Sequence, residues 1–218
     1  MKAGLEKEKA ALLVAIGVRT DGKKVILALK SGYRESTQAW SELLRDLRDR
    51  KLAPPKLVIG DRHLGIWAAL GNVFPQAQGQ CCWNHRILNL LAKVPKQRHT
   101  DARKLLTAIP HADSAHEAGQ AKDAFQRWSA HQADDDAAER IDADWERTTA
   151  VYRFPREHWR YLRTTNVVES PFAALRLRTD PARRFKKVAN ATAVIWKMLM
   201  VSERRFRRLN SHELLPAV

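Results

Sequence analysis

Cysteine is nearly absent from this chain of 218 residues, and its two cysteines, Cys81 and Cys82, are neighbours. Neighbouring cysteines very rarely form a disulfide with each other, so the sequence excludes a disulfide-stapled secreted protein and predicts a reduced, cytoplasmic one. Long apolar runs are absent as well. The longest, residues 10–18, is shorter than the roughly 18 residues that a membrane span requires, and it lacks the cleavage pattern of a signal peptide.

Acidic residues are scarce relative to basic ones. The chain has 24 Asp and Glu against 39 Lys and Arg, a formal net charge of +15. A field of this sign favours a polyanionic partner, with nucleic acid first and an anionic membrane surface second. A ribosome-associated or merely basic soluble protein is the alternative, so the charge ranks the partners without choosing one.

The first part of the chain has the pattern of a β-hairpin followed by a helix. Two apolar runs rich in β-branched residues, 11–18 and 24–29, flank an Asp-Gly pair at 21–22, which is a strong turn signal. Residues 36–50 then place apolar side chains at helical spacing, with charges on the other face. We therefore predict two antiparallel strands and a surface helix.

Short buried strands with a helix between them are predicted next. Residues 56–60 have the composition of a buried strand, and a helix is predicted from about residue 64 to 70. Another strand is predicted over 77–83. This order of elements predicts an α/β or α+β protein, in which helices pack on a sheet.

The middle of the chain differs from both ends in composition. Residues 84–155 are rich in alanine and poor in strand formers, so we predict a helical insertion between two parts of one core, residues 1–83 and 156–218. The acidic run at 134–136 is typical of a solvated helix face or loop. Residues 170–209 are predicted to form one or two basic helices.

Two carboxylates lie at predicted element boundaries beside basic residues. Asp61 follows the strand 56–60, where open α/β sheets place their site residues; a helix cap for the next segment is the alternative. Glu169 either completes a capping box with Asn166 or lies just before a helix that Ser170 caps. Both registers place it near a helix N-terminus, which favours an anion. The two carboxylates suit a divalent-metal site that acts on phosphate.

Cys82, Trp83 and His85 form a second candidate group. The thiol and the imidazole have the spacing of half a zinc site, but no second pair at ligand spacing follows, which disfavours zinc. Cys82 is alternatively a nucleophile with His85 as its base, although the sequence offers no third group to orient that base. Trp83 is either packed in the core or exposed as a surface on which a base stacks. Composition does not separate these two roles.

Four long segments carry a resemblance to a known family. They are GDRHLGIWAAL at 60–70, QCCWNHRILNLLAKVPK at 80–96, FPREHWRYLRTTNVVESPFAALRLRT at 154–179 and ATAVIWKMLMVSERRFRRLN at 191–210. Together they resemble the Mutator-like family of bacterial insertion-sequence transposases, over about residues 2–215. The resemblance implies a ribonuclease H-like core interrupted by a helical insertion, in agreement with the predicted order of elements.

The resemblance also implies a catalytic site of three acidic residues, Asp, Asp and Glu, that hold two divalent metal ions, magnesium or manganese. Asp61 matches the second of these residues and Glu169 the third. The implied reaction is metal-dependent phosphoryl transfer, in which double-stranded DNA is cut and joined at insertion-sequence ends. A homo-oligomer is expected, and a membrane partner is not.

Further residues are implied to contact DNA. Cys82 and His85 match the family's C-x-x-H motif, which is implied to help arrange the DNA end, and Trp83 is the candidate for stacking. The candidates for phosphate contacts in the last segment are Arg176, Arg178, Arg183, Arg184, Lys186 and Lys187.

The chain departs from the family pattern at two places. The family's first Asp lies on the opening strand, before the equivalent of Lys2, and Asp21 is a poor substitute because it falls in a predicted hairpin turn. Arg62 stands where the family usually has a small residue. We therefore expect the core to lack its first strand, to associate or be poorly soluble through the exposed edge, and to have little or no catalytic activity alone.

Two other functions stay open at this point. The first is a non-catalytic DNA-binding module derived from a transposase, based on the basic C-terminal segment. The second is a ribonuclease H-like nuclease that acts alone. The predicted insertion and the C-x-x-H motif favour a transposase over the nuclease.

Overall fold

The chain divides into two units in the computed structural model, which describes residues 2–4, 9–32, 36–61, 64–132, 135–169, 171–172 and 187–217. Unit 1 consists of Met1–Lys56, His63–Ala77 and Asn166–Val218. Unit 2 consists of Leu57–Arg62 and Gln78–Thr165.

Helices and small sheets make up both units. The strands are β1 (Lys2–Gly4), β2 (Lys9–Val18), β3 (Lys24–Gly32), β4 (Leu57–Gly60) and β5 (Gln78–Cys81). The helices are α1 (Thr37–Asp49), α2 (Leu64–Val73), α3 (Trp83–Leu91), α4 (His99–His111), α5 (Ala115–His131), α6 (Asp135–Arg140), α7 (Trp145–Thr149), α8 (Trp159–Leu162) and α9 (Val188–Glu203). Short 3₁₀ turns occur at Lys96–Arg98, Ala150–Arg153, Arg156–His158 and His212–Ala217. The predicted mixed α/β class is confirmed. Within the described ranges, none of the helices combines the length and the apolar composition of a membrane span.

The predicted hairpin of unit 1 is confirmed. β2 pairs antiparallel with β3 on one side and with β1 on the other. In the turn, Gly22 N–H donates to Arg19 O at 2.8 Å, and Gly22 has a φ of 77°, a left-handed conformation that favours glycine. Asp21 Oδ1 accepts a hydrogen bond from Lys23 N–H at 3.0 Å. The Asp21 carboxylate therefore closes the turn.

A β-bulge in β3 receives side chains from two helical segments. The register of β2 against β3 shifts at this point, which leaves Leu27 as the extra residue. Ile26 N–H donates to Glu203 Oε2 at 2.8 Å, and Leu27 O accepts from Arg50 Nη2 at 2.9 Å. Glu203 is the last residue of α9, and Arg50 directly follows α1. The bulge therefore ties both helices to the sheet.

The core of unit 1 includes a cluster between the sheet and α9. Leu12 and Ile26 of the sheet pack with Ile195 and Leu199 of α9, and all four are buried. Burial of an aliphatic side chain of this size contributes about 1.5–3 kcal/mol. Within the segment 170–209 the structure describes helix α9, so a helix is confirmed there. Its predicted basic character is wrong, because Arg204, Arg205, Arg207 and Arg208 follow the end of the helix.

The helix predicted over 36–50 is confirmed as α1, which begins one residue later, after the cap residue Ser36. Ser36 Oγ accepts a hydrogen bond from Ala39 N–H at 3.1 Å. This acceptor satisfies one of the first N–H groups of the helix, which have no partner inside it. The apolar stripe of α1 is buried at Leu43, Leu44 and Leu47.

Replacing Ser36 with alanine is expected to lower the free energy of unfolding by about 1 kcal/mol, because the helix start loses its acceptor. Ser36→Asp keeps an acceptor oxygen and adds a favourable charge at the helix N-terminus, so its stability is expected to equal or exceed that of the wild type. Urea denaturation followed by circular dichroism measures both. Equal stability of Ser36→Ala and the wild type contradicts the contribution of the cap.

Unit 2 is organised on a two-stranded parallel sheet. β4 and β5 pair in register from Leu57 opposite Gln78 to Gly60 opposite Cys81. The strand predicted over 77–83 is therefore shorter than expected, because Cys82 is the N-cap of α3. The main core cluster of unit 2 consists of buried residues between the start of α3 and the residue after α6. It includes Trp83, Leu90, Leu106, Ile109, Phe125 and Ile141.

The segment 84–155 contains helices and turns, and its described part has no strand. This agrees with its helix-favouring composition. The division of the chain into 1–83, 84–155 and 156–218 stays a prediction.

Candidate functional site

Asp61 lies at the carboxyl edge of the parallel sheet of unit 2. It directly follows β4, and Cys82 directly follows β5, so the two strands deliver both residues to the same edge. Cys82 N–H donates to Gly60 O at 2.8 Å, which extends the strand pairing by one residue. The Asp61 side chain is 51% exposed. This is the edge at which open α/β sheets bind ligands.

His85 faces Asp61 across this edge. Its Nδ1 lies 3.9 Å from Asp61 Oδ1, and its side chain is 37% exposed. His85 is the third residue of α3, and Cys82 is the cap of that helix, so the C-x-x-H spacing spans the first helical turn. The C-x-x-H motif thus lies beside the Asp61 carboxylate within unit 2. The pair places an imidazole and a carboxylate side by side at the edge of the sheet.

The Cys82 thiol is buried and holds a neighbouring loop. Cys82 is 1% exposed, and its Sγ accepts from Thr165 N–H at 3.3 Å and from Thr165 Oγ1 at 3.2 Å. Trp83 N–H donates to Arg163 O at 2.9 Å. Residues 163–165 are therefore fastened to the start of α3. Direct contact of the thiol with DNA, one of the sequence-based expectations, does not agree with this burial.

Trp83 belongs to the core of unit 2. It is 1% exposed, its Nε1 donates to Thr148 O at 2.8 Å, and its ring meets the Trp145 ring edge to face at a centroid distance of 6.4 Å. Edge-to-face pairs of this kind add about 0.5–1.5 kcal/mol beyond area burial. Core packing is therefore the role that the structure gives Trp83, and the expected stacking of a base on it is corrected.

Two buried polar side chains that sequence reasoning missed support this edge. Gln80 of β5 is fully buried; its Nε2 donates to Thr148 O at 3.0 Å and its Oε1 accepts from Val151 N–H at 2.7 Å. Gln80 therefore fixes residues 148–151 against the strand. The sequence feature that could have indicated this burial is the position of Gln80 in a predicted strand, directly before two apolar residues.

Arg86 is the second missed residue. It is 1% exposed, and its Nη2 donates to the carbonyl oxygens of Arg140, Ile141 and Ala143. These carbonyls follow the C-terminal end of α6, where a cation is favourable. The available signal was helical spacing, since Arg86 lies three residues after Trp83 on the apolar face of α3.

Glu169 belongs to unit 1 and is exposed. Residues 166–169 are helical, so Glu169 lies in the first turn of helical residues. Both predicted registers are corrected, because Asn166 is helical and is therefore not an N-cap, and Glu169 is helical instead of lying just before the helix. Ser170 lies outside the described residues. Proximity to a helix start, which both registers had in common, is retained.

The basic candidates fall mostly outside the described residues. Lys187 is exposed and is the N-cap of α9. The other basic candidates, and Arg62, lie outside the described ranges: Arg62, Arg176, Arg178, Arg183, Arg184 and Lys186.

Comparisons with known proteins agree with the resemblance. The sequence model of a family described as "Transposase, Mutator family" matches residues 3–208. The chain is 38% identical over 218 residues to the transposase for insertion sequence element IS6120 of Mycolicibacterium smegmatis, covering 100% of this chain and 67% of that protein. It is 38% identical over 203 residues to the transposase for IST2 of Acidithiobacillus ferrooxidans, covering 92% and 68%. It is 28% identical over 203 residues to the transposase for ISRM5 of Rhizobium meliloti, covering 93% and 50%.

Proposed function

Because the chain belongs to the Mutator family of transposases, we propose that it is a catalytic domain that cuts and joins DNA at the ends of an insertion sequence. In this proposal its own activity is weak, because Asp61 and Glu169 supply two of the three acidic residues expected for the site. One observation carries the proposal to the residue level: the half-exposed carboxylate of Asp61 lies at the carboxyl edge of a parallel sheet, facing His85 of the C-x-x-H motif. A carboxylate at such an edge is suited to ligand chemistry. A helix cap, the alternative role of Asp61, does not require an imidazole beside the carboxylate.

The residues fit a divalent metal of the magnesium type. Asp61 and Glu169 are both exposed carboxylate residues, and magnesium and manganese prefer oxygen ligands. In this proposal Asp61 of unit 2 and Glu169 of unit 1 are each a metal ligand, and Cys82 is the cap of the helix that carries His85. When bound, the ions would polarise the phosphate and stabilise the leaving oxygen. His85 would orient the Asp61 carboxylate from its other side.

A ribonuclease H-like core with a helical insertion is the architecture that we propose for this site. It is supported by the antiparallel hairpin, the parallel pair β4–β5 and the strand-free described part of 84–155. The partner is double-stranded DNA, which the net charge of +15 favours. The proposal includes a homo-oligomer, since cutting and joining require two DNA ends to be held together.

The second candidate function is a non-catalytic DNA-binding module. The excess of basic residues favours it as strongly as it favours an enzyme, because charge serves binding with or without catalysis. The two differ in metal chemistry. Incubation of the wild-type protein with DNA carrying insertion-sequence ends, with Mg²⁺ or Mn²⁺ and with EDTA, separates them, since only the transposase nicks DNA and only with the metal.

Asp61→Asn is expected to weaken Mn²⁺ binding by about tenfold or more, because even the loss of an outer partner of a metal ligand costs 10–100-fold in affinity. Calorimetric titration of the metal-free protein measures this without any need for catalysis. Asp123→Asn is the matched control, since Asp123 is an exposed aspartate on α5 in the same unit. Equal Mn²⁺ affinity of Asp61→Asn and the control contradicts a metal role for Asp61.

A further inference from the structure

The segment after α9 has four exposed arginines beside two apolar residues that pack inside unit 1. Phe206 packs against the cluster of Leu12, Ile26, Ile195 and Leu199, and Leu209 is 4% exposed. The arginines that surround these anchors are all exposed: Arg204, Arg205, Arg207 and Arg208. The sequence RRFRRL thus turns its apolar residues inward and its charges outward.

A backbone hydrogen bond joins this segment to the β2–β3 turn. Leu209 N–H donates to Gly22 O at 2.9 Å. A Cβ atom at Gly22 would lie 2.5 Å from Cβ of His212, so the approach requires glycine in addition to its φ of 77°. The turn adds two exposed cations, Arg19 and Lys23.

Few carboxylates oppose these charges. Asp21 lies 3.6 Å from Arg19, and its hydrogen bond from Lys23 N–H lowers its pKa below the ordinary value. The charges of Arg19 and Arg208 lower the pKa of Asp21 further, so one anion is shared among several cations.

The four arginines differ in this respect from Arg147 and Arg153 of unit 2. Among the described residues, no carboxylate lies within ion-pair distance of the four. In unit 2, by contrast, Arg147 pairs with Asp144 at 2.7 Å and Arg153 with Glu146 at 3.1 Å. A set of exposed arginines without an ion-pair partner among the described carboxylates is suited to an external polyanion.

We propose that this set of residues, which we call the hairpin–arginine surface, binds the sugar-phosphate backbone of double-stranded DNA without regard to sequence. It consists of Arg19, Lys23, Arg204, Arg205, Arg207 and Arg208. The inference rests on the proposed function in that DNA is the partner, and it adds a contact surface in unit 1. Arginine forks match phosphate oxygens, and backbone contacts position a protein without reading bases.

The first test compares two variants that lose the same charge. Arg207→Gln with Arg208→Gln is expected to weaken binding to a random-sequence duplex by about tenfold per lost contact near 0.1 M salt, and to lower the slope of log affinity against log salt by about 1–2. The control, Arg147→Gln with Arg153→Gln, removes two paired arginines from unit 2 and is expected to keep the wild-type slope. Fluorescence anisotropy at several salt concentrations measures both.

The second test keeps every charge. Gly22→Ala is expected to separate the turn from the arginine segment and to lower the salt slope, while circular dichroism shows a folded protein. Gly119→Ala on α5 is its control, since a Cβ there has nothing within 4 Å. A wild-type slope for Gly22→Ala overturns the composite surface.

The outcomes also separate this inference from the proposed function. If the wild type nicks DNA with Mg²⁺ and the Arg207/Arg208 variant has the slope of its control, the surface is overturned and the function stands. If the wild type binds DNA through this surface but neither nicks it nor binds Mn²⁺, the surface stands and the function fails. If the Arg207/Arg208 variant loses binding to vesicles of anionic lipid and keeps binding to DNA, the surface is overturned as a DNA contact.

Discussion

Asp61→Ala is expected to abolish metal-dependent nicking of DNA, with a loss of about a thousandfold or more. The reason is that a bound metal contributes several kcal/mol of transition-state stabilisation, and each 1.36 kcal/mol is a factor of about ten in rate. A plasmid nicking assay with Mg²⁺ and Mn²⁺ measures the loss. The affinity for DNA is expected to stay unchanged or to rise, because the substitution removes a negative charge facing the phosphates.

The control for this prediction is Asp123→Ala, which removes an exposed aspartate from α5 of the same unit. It is expected to nick DNA at the wild-type rate. Equal nicking rates of the Asp61 and Asp123 variants would contradict a catalytic role for Asp61. If the wild type binds DNA and fails to nick it with either metal, the non-catalytic DNA-binding module becomes the function.

Trp83→Ala is expected to lower the free energy of unfolding of unit 2 by about 3–5 kcal/mol, the usual cost of deleting a buried aromatic side chain. Three interactions are lost at once: burial of the indole, the edge-to-face contact with Trp145 and the hydrogen bond to Thr148 O. Urea denaturation followed by circular dichroism measures the change. A loss of this size is a large part of the stability of most domains.

Two other variants separate packing from DNA stacking. Trp83→Phe keeps an aromatic ring but removes the hydrogen bond to Thr148 O. Its free energy of unfolding is therefore expected to fall by about 1 kcal/mol more than the smaller side-chain volume alone predicts. Trp196→Ala removes a tryptophan that is 38% exposed and is expected to be close to neutral. An unchanged stability of Trp83→Ala together with a loss of DNA affinity would support stacking and contradict the packing role.

The local elements of this protein follow from its sequence because short-range rules set them. The Asp21-Gly22 pair between two β-branched runs predicts the hairpin, and Gly22 has the positive φ that such a turn uses. The apolar stripe over 36–50 predicts α1, which begins directly after its cap Ser36. The apolar run before Asp61 predicts β4, which places that carboxylate at the sheet edge.

Element boundaries were predicted less well where neighbouring residues suit two structures. The sequence Gln80-Cys81-Cys82-Trp83 is apolar enough for a strand to continue, yet the chain leaves the sheet at Cys82 and begins α3. The helix start before Glu169 offered two caps of similar quality, Asn166 and Ser170. Asn166 and Glu169 are both helical, so neither predicted register is the observed one. At Cys82 and Trp83, hydrogen bonds to β4 and to Arg163 stabilise the end of the strand and the start of α3. A local sequence pattern does not contain these partners, because they are distant in sequence.

The sequence by itself determined the family, the hairpin, the order of strands and helices, and the position of Asp61 after a buried strand. Periodicity and turn chemistry act over a few residues, so they can be read along the chain. Only the tertiary structure decided that Trp83 and Cys82 are buried, that Gln80 and Arg86 point inward, and that arginines after α9 meet the β2–β3 turn. Burial and charge clustering depend on which elements pack together, and those partners are distant in sequence.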